Sequence, residues 1–285
     1  MKISLSSFLY LNYPLEEALR RIAQAGYDGV DIWGGRPHAY RNDLRRSEMR
    51  RLRVISERLG VEVASFIPAQ FRYPTCLCSP SERIRRDSVD YIKDSLLSAV
   101  EFGAPIVSVC PGHTIFGQTR EDGWCRLRES LDEICSAADP LQLKVALEPA
   151  DKYETDLVNN CEQALKLLED VGWGNLGVVL DNGHSHVVGE SAERMVARLG
   201  DRLFHVHVDD NLSQRDQHLI PGHGSFDFVT FIEALRRADY QGFLTAELSW
   251  DYTLEPDQAA RATSARMREY LQAYSESAAV RGNSL

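Results

Sequence analysis

The chain predicts a single (β/α)8 barrel, and three observations carry that prediction. Eight short apolar runs alternate with helical windows over about 250 residues, the usual size of that fold. The runs are apolar on both faces, as in strands of a parallel sheet covered by helices. No Gly-x-Gly-x-x-Gly follows the first run, which removes the main reason to prefer an open doubly wound sheet.

Residues 2–8 are the first strand. The helix after it opens at Pro14, places Leu15, Ala18, Leu19, Ile22 and Ala25 on one face, and stops at Gly26. Residues 29–33 (Gly-Val-Asp-Ile-Trp) are the second strand, followed by the loop 34–39 and a helix over 43–58. Residues 61–66 are the third strand, and a long loop, 67–80, carries Tyr73 and Pro74. The next helix places Val89, Ile92, Leu96 and Val100 on one stripe and closes at Gly103. Strand 106–110 precedes a helix over 121–138, and strand 143–148 precedes a helix with Val158, Cys161, Leu165 and Leu168 at helical spacing. Strand 176–181 leads to a short helix over 191–199. Strand 203–208 leads through a polar loop to a helix carrying Phe228, Phe231, Ile232 and Leu235. Strand 243–248 and a helix over 256–274 complete the series. No linker interrupts it, so residues 1–274 read as one domain and 275–285, small and polar, as a fraying tail.

Composition narrows the function classes. With 44% hydrophobic and 26% charged residues the chain can bury a full core. A net charge of −10 argues against a phosphate-tracking surface, so nucleic acid is not an expected partner. There is neither a run of 18 apolar residues nor a signal-like apolar N-terminus, so no membrane association is expected and a reducing, cytoplasmic setting is. Among six cysteines only Cys76 and Cys78 are close, and no second pair completes a zinc ribbon. Cys110, Cys135 and Cys161 read as small buried residues.

Chemistry in such a barrel sits where strands end. Strands five to eight end in Glu148, Asp181, His207 followed by Asp209, and Glu247. One carboxylate at such a place is costly to bury, but four such side chains on successive strands make sense around a divalent cation. One imidazole with three carboxylates suits Mn²⁺ or Mg²⁺ better than structural Zn²⁺, with Co²⁺ and Zn²⁺ as alternatives. Six of the eight histidines lie between His184 and His223. His184, three residues past Asp181, is a further ligand or a donor to a substrate oxygen. His205, one pleat deeper than His207, reads as a core histidine.

Taken together, Glu148, Asp181-x-x-His184, His207-x-Asp209, Glu247 and Pro221-Gly-His-Gly224 resemble the xylose isomerase-like barrels of the sugar phosphate isomerase/epimerase family. The segment 27–39, Tyr73-Pro74, Glu148-Pro-x-x-x-Tyr-Glu154 and Asp216-x-His218-x-Ile-Pro-Gly look most like enzymes of the fructoselysine and D-tagatose 3-epimerase type. The resemblance implies one metal held by Glu148, Asp181, His207 and Glu247, with Glu148 and Glu247 as an acid/base pair working through a cis-enediolate of a sugar substrate. It implies that Glu154 and His184 orient hydroxyls and that Arg215 faces the enediolate oxygen or a substrate anion. Trp33, Arg36 and His38 would line the far end of the pocket. Asp216 and His218 would touch substrate, anchor their loop, or hold a second metal as in related endonucleases. It also implies a homodimer or tetramer. An enediolate dehydratase or lyase shares the same first step. A zinc phosphodiesterase is weakened because the loop after strand three and Cys110 after strand four offer no histidine.

Overall fold

The computed structural model describes residues 1–70, 75–248 and 250–282, with side chains as far as residue 272. Tyr73 and Pro74 lie outside the described residues. Eight strands, all paired in parallel, close into a barrel in chain order. They are β1 (Lys2–Ser6), β2 (Gly29–Gly34), β3 (Glu62–Pro68), β4 (Ile106–Val109), β5 (Lys144–Leu147), β6 (Leu176–Asp181), β7 (Leu203–Val208) and β8 (Phe243–Ala246). The β1–β8 seam, with Ile3 beside Leu244 and Leu5 beside Ala246, completes the closure and leaves no edge to pair with another chain.

The helices are α1 (Leu15–Gln24), α2 (Arg46–Arg58), α3 (Glu82–Phe102), α4 (Arg120–Ala138), α5 (Cys161–Val171), α6 (Asn182–Val188), α7 (Ala192–Leu199), α8 (Phe228–Arg237) and α9 (Pro256–Gly282). Local chemistry sets where several begin. Thr119, Asn160, Asp181, Ser191 and Asp227 each accept a backbone N–H of the first turn of α4, α5, α6, α7 and α8, removing an orphan donor at each start. Gly103 ends α3 at φ 79°, a left-handed conformation that costs other residues energy.

Three details differ from the sequence reading. The inner stripe of α3 runs through Val89, Ile92 and Leu96 to Ala99 and Phe102, while Val100 is exposed, because the buried face is centred on Ser88, Ile92, Ser95, Ala99 and Phe102 and Val100 lies at its margin. An extra helix, α6, follows β6 directly. And α9 continues beyond Ser275.

Two cores result. Helix faces carrying Leu19, Ile92, Leu131 and Leu235 bury against outward strand residues such as Leu5, Val107 and Val178. Inside the barrel the apolar filling is small, comprising Ile106, Ala146 and Val179 from β4, β5 and β6. The other side of the lumen is polar, with Ser4, Asp31, Ser65, His205 and Thr245 all buried. Asp31 on β2 reaches His205 on β7, strands that are not neighbours, so the contact crosses the lumen. His205 is therefore the satisfied core histidine that its position predicts. Truncating the outer core tests the layer that carries stability. Leu131→Ala, at a fully buried position, should cost about 2–5 kcal/mol in equilibrium urea unfolding.

Candidate metal centre and active site

Glu148 and Glu247 each stand one residue past the end of their strand, β5 and β8. Their N–H groups donate to Val109 and Val208 carbonyls at 3.0 and 3.1 Å, so the ladder continues through them. Side chains alternate along a strand, which turns both glutamates inward with Ala146 and Thr245. Asp181, the last residue of β6, sits in register with His207 of β7. The four side chains offer ligand atoms that all lie within 4.8 Å of one another. His207 Nδ1 lies 2.6 Å from Glu148 Oε1 and 3.8 Å from Glu247 Oε2.

This packing leaves an electrostatic debt. Burial, with Glu148 and Asp181 nearby, pushes Glu247 up to about 7 against the pull of His207. Burial opposes charge on His207, yet Glu247, Glu148 and Asp31 outweigh it and raise the imidazole well above its ordinary value. Asp181 Oδ1 accepts the His184 N–H at the start of α6, while its buried Oδ2 has no hydrogen-bond partner among the described residues. An orphaned carboxylate oxygen facing two more carboxylates and an imidazole fits a divalent cation with hard, oxygen-rich preferences.

A second cluster adjoins the first. The unforeseen helix α6 presents His184, whose Nδ1 lies 3.1 Å from Asp216 and whose Nε2 lies 3.8 Å from Glu154. Burial opposes its charge, but Asp181, Asp216, Glu154 and Glu148 raise it to about 10. His218 Nδ1 lies 2.7 Å from Asp209 Oδ2. Asp209, Asp216 and His218 also bring ligand atoms within 4.8 Å of one another. A Cβ on Gly183 would lie 2.1 Å from Asp209 Oδ1, so only glycine lets α6 approach β7 this closely. Asp210 holds the following loop, accepting the N–H groups of Gly222 and Gly224 at 2.8 Å and of Phe226 at 3.1 Å.

A model of the xylose isomerase-like TIM barrel family matches residues 19–270. The chain is a xylose isomerase-like TIM barrel. It is 30% identical over 271 residues to fructoselysine 3-epimerase of Escherichia coli O157:H7, covering 95% of this chain and 98% of that one. A ketose 3-epimerase of Arthrobacter globiformis is 24% identical over 262 residues, covering 90% and 86%. The solved structure of a D-tagatose 3-epimerase-like protein superposes with a TM-score of 0.85 at 25% identity, covering 98% of this chain and all of the other.

Other predicted positions of this family barrel fall in different places. Arg215 lines a cavity of about 610 Å³ with Tyr153, Leu212, Asp216 and Trp250. Trp33 packs edge-on against Phe8, which packs edge-on against Trp250, an aromatic row across the ends of β1, β2 and β8. His38 departs from its expected role: it is buried, with Nδ1 on Ser7 Oγ at 3.1 Å and Nε2 on the Tyr10 and Tyr13 carbonyls. Both ring nitrogens hold the loop after β1, leaving none for a substrate. Arg36 is an exposed side chain bound to Asp43 through two hydrogen bonds and stacked on Tyr40. Sequence reasoning gave no role to Asp31, Asp210 or Gln70. Gln70 accepts the Cys110 N–H at 3.0 Å and, with Cys110 and Glu154, lines a second cavity of about 250 Å³.

The raised groups set a pH dependence. Glu247 binds its proton more tightly in the folded metal-free protein than in the unfolded chain, so stability falls as pH rises from its ordinary 4.5 toward about 7. His184 acts in the same sense: its contribution is full below the ordinary 6.5 and is lost as pH rises through about 10. Metal-free protein should therefore melt at lower temperature near about pH 8 than near about pH 5.5, while the gain in melting temperature on adding Mn²⁺ grows over that window. A thermal-shift series with chelator and with Mn²⁺ measures both slopes.

Proposed function

We propose that this barrel is a divalent-metal-dependent ketose 3-epimerase acting on a free ketose or a sugar conjugate, with Glu148 and Glu247 as its acid/base pair. At the coarser level it is an enzyme of the isomerase and epimerase class, like its named relatives. The observation that carries the finer reading is the pair of glutamates delivered by β5 and β8, both within 4 Å of His207 Nδ1 in one ligand cluster.

Glu148, Asp181, His207 and Glu247 would hold the metal, with Mn²⁺ the first expectation. When bound, it would supply Lewis acidity toward a ketose carbonyl and the neighbouring hydroxyl. One glutamate would remove the C3 proton, and the other would return a proton to the opposite face, so that only the configuration changes. His184, protonated at neutral pH, would donate to a substrate hydroxyl, and Glu154 would accept from one. Arg215 would face the more distal part of the substrate in the larger cavity.

Incubating a panel of ketoses and ketose conjugates in D2O with Mn²⁺ tests this directly. Deuterium should enter at C3 with formation of the C3 epimer, and chelation should stop both. Glu148→Gln and Glu247→Gln should each slow exchange by roughly 10²–10⁴-fold; intact exchange in either variant would sink the assignment. Loss of water, or cleavage of the conjugate, would mean that the same deprotonation feeds an elimination instead.

A further inference from the structure

We propose that Asp31 is a positioning residue for the metal centre, gripping the inner edge of the His207 ring so that Nδ1 is presented to a cation. The inference rests on the metal-centre reading above and goes beyond the four ligands.

The geometry is built around one carboxylate. Asp31, on β2, has no exposed surface. Its Oδ2 accepts from Ser65 Oγ at 2.6 Å and contacts His205 Nε2 at 2.7 Å, while Oδ1 accepts from Thr245 Oγ1 at 3.0 Å. Thr245 Oγ1 is itself 2.5 Å from Ser4 Oγ. Contacts from β3, β7 and β8, the last backed by Ser4 of β1, thus fix the carboxylate in the lumen. His207 Nε2 lies 3.4 Å from the same Oδ2 and has no other partner among the described residues. The rings of His205 and His207 stand at 89° with centroids 5.2 Å apart, so two imidazole edges converge on one oxygen.

The chemistry of imidazole gives that arrangement a purpose. The two ring nitrogens of His207 face opposite ways, Nδ1 toward Glu148 and Nε2 toward Asp31. A neutral imidazole carries one N–H, and a ligating Nδ1 needs its lone pair, so the proton belongs on Nε2. A carboxylate behind Nε2 selects that tautomer and opposes rotation of the ring. Ser65, Thr245 and His205 alone would not need it. An amide oxygen would accept their O–H and N–H groups without the several kcal/mol that burying a charge costs.

The test measures metal affinity rather than turnover. Calorimetric titration of metal-free protein with Mn²⁺ should give an Asp31→Asn dissociation constant about 10–100-fold weaker than wild type. Ser65→Ala removes a hydrogen bond from the same carboxylate and leaves its charge, so it should lower the melting temperature yet keep affinity within about threefold. Wild-type affinity in Asp31→Asn, or equal weakening in Ser65→Ala, would overturn the proposal. If Asp31→Asn does not fold, His205→Asn decides. It frees Asp31 for His207, so unchanged or tighter binding supports the role and a tenfold loss overturns it. Wild-type protein that binds none of Mn²⁺, Mg²⁺, Co²⁺ and Zn²⁺ would overturn the metal-centre reading and this one together. Normal wild-type binding with an indifferent Asp31 removes this one alone.

Discussion

Three carboxylates and one imidazole share a space at the barrel mouth whose ligand atoms span less than 5 Å, with Asp181 and His207 fully enclosed. Like charges at that separation repel strongly where water cannot screen them. The chain answers with protons, on His207 and in part on Glu247, rather than with a lysine or arginine among the four. A site neutralised by protons at neutral pH is one that a divalent cation can take over by displacing them.

The lumen below bears on that constraint. Its β4–β6 side is filled by small apolar packing, whereas the opposite side is a hydrogen-bonded layer centred on Asp31. His205 and His207 hold Asp31 well below the usual carboxylate range despite its burial. A negative charge thus sits directly beneath the imidazole, while the rim carboxylates sit above it. The barrel interior is therefore part of the site's electrostatics and not only its filling.

The flanking loops give the site its second wall. Asp181 serves twice, as a member of the ligand cluster and as the cap of α6, so the helix that carries His184 starts where the cluster begins. Gly183 lets that helix lie against Asp209, and Asp210 gathers three loop N–H groups beside it. His184, Asp216 and His218 reach the rim through this scaffold. On the other side, Trp33, Phe8 and Trp250 form an apolar edge, which suits the ring face of a sugar better than its hydroxyls.

Period and position made much of this legible in advance. Eight short apolar runs alternating with helices allow little besides a barrel, and Glu148, Asp181, His207 and Glu247 fall at strand ends, where a two-residue period dictates which way each points. Their placement at the barrel mouth was determined by the sequence alone, because strand-end geometry is local. The remainder depended on partners far along the chain. Asp31 meets His205, 174 positions away, only because the closed barrel sets β2 opposite β7 across the lumen. His38 turned from pocket to scaffold because the loop after β1 supplies Ser7 and two carbonyls to its ring. The short helix α6 has no amphipathic stripe to announce it and depends on a cap from Asp181. Closure of the barrel, which brings β2 against β7 across an enclosed space, is a tertiary event, and it alone decided which buried polar groups became partners.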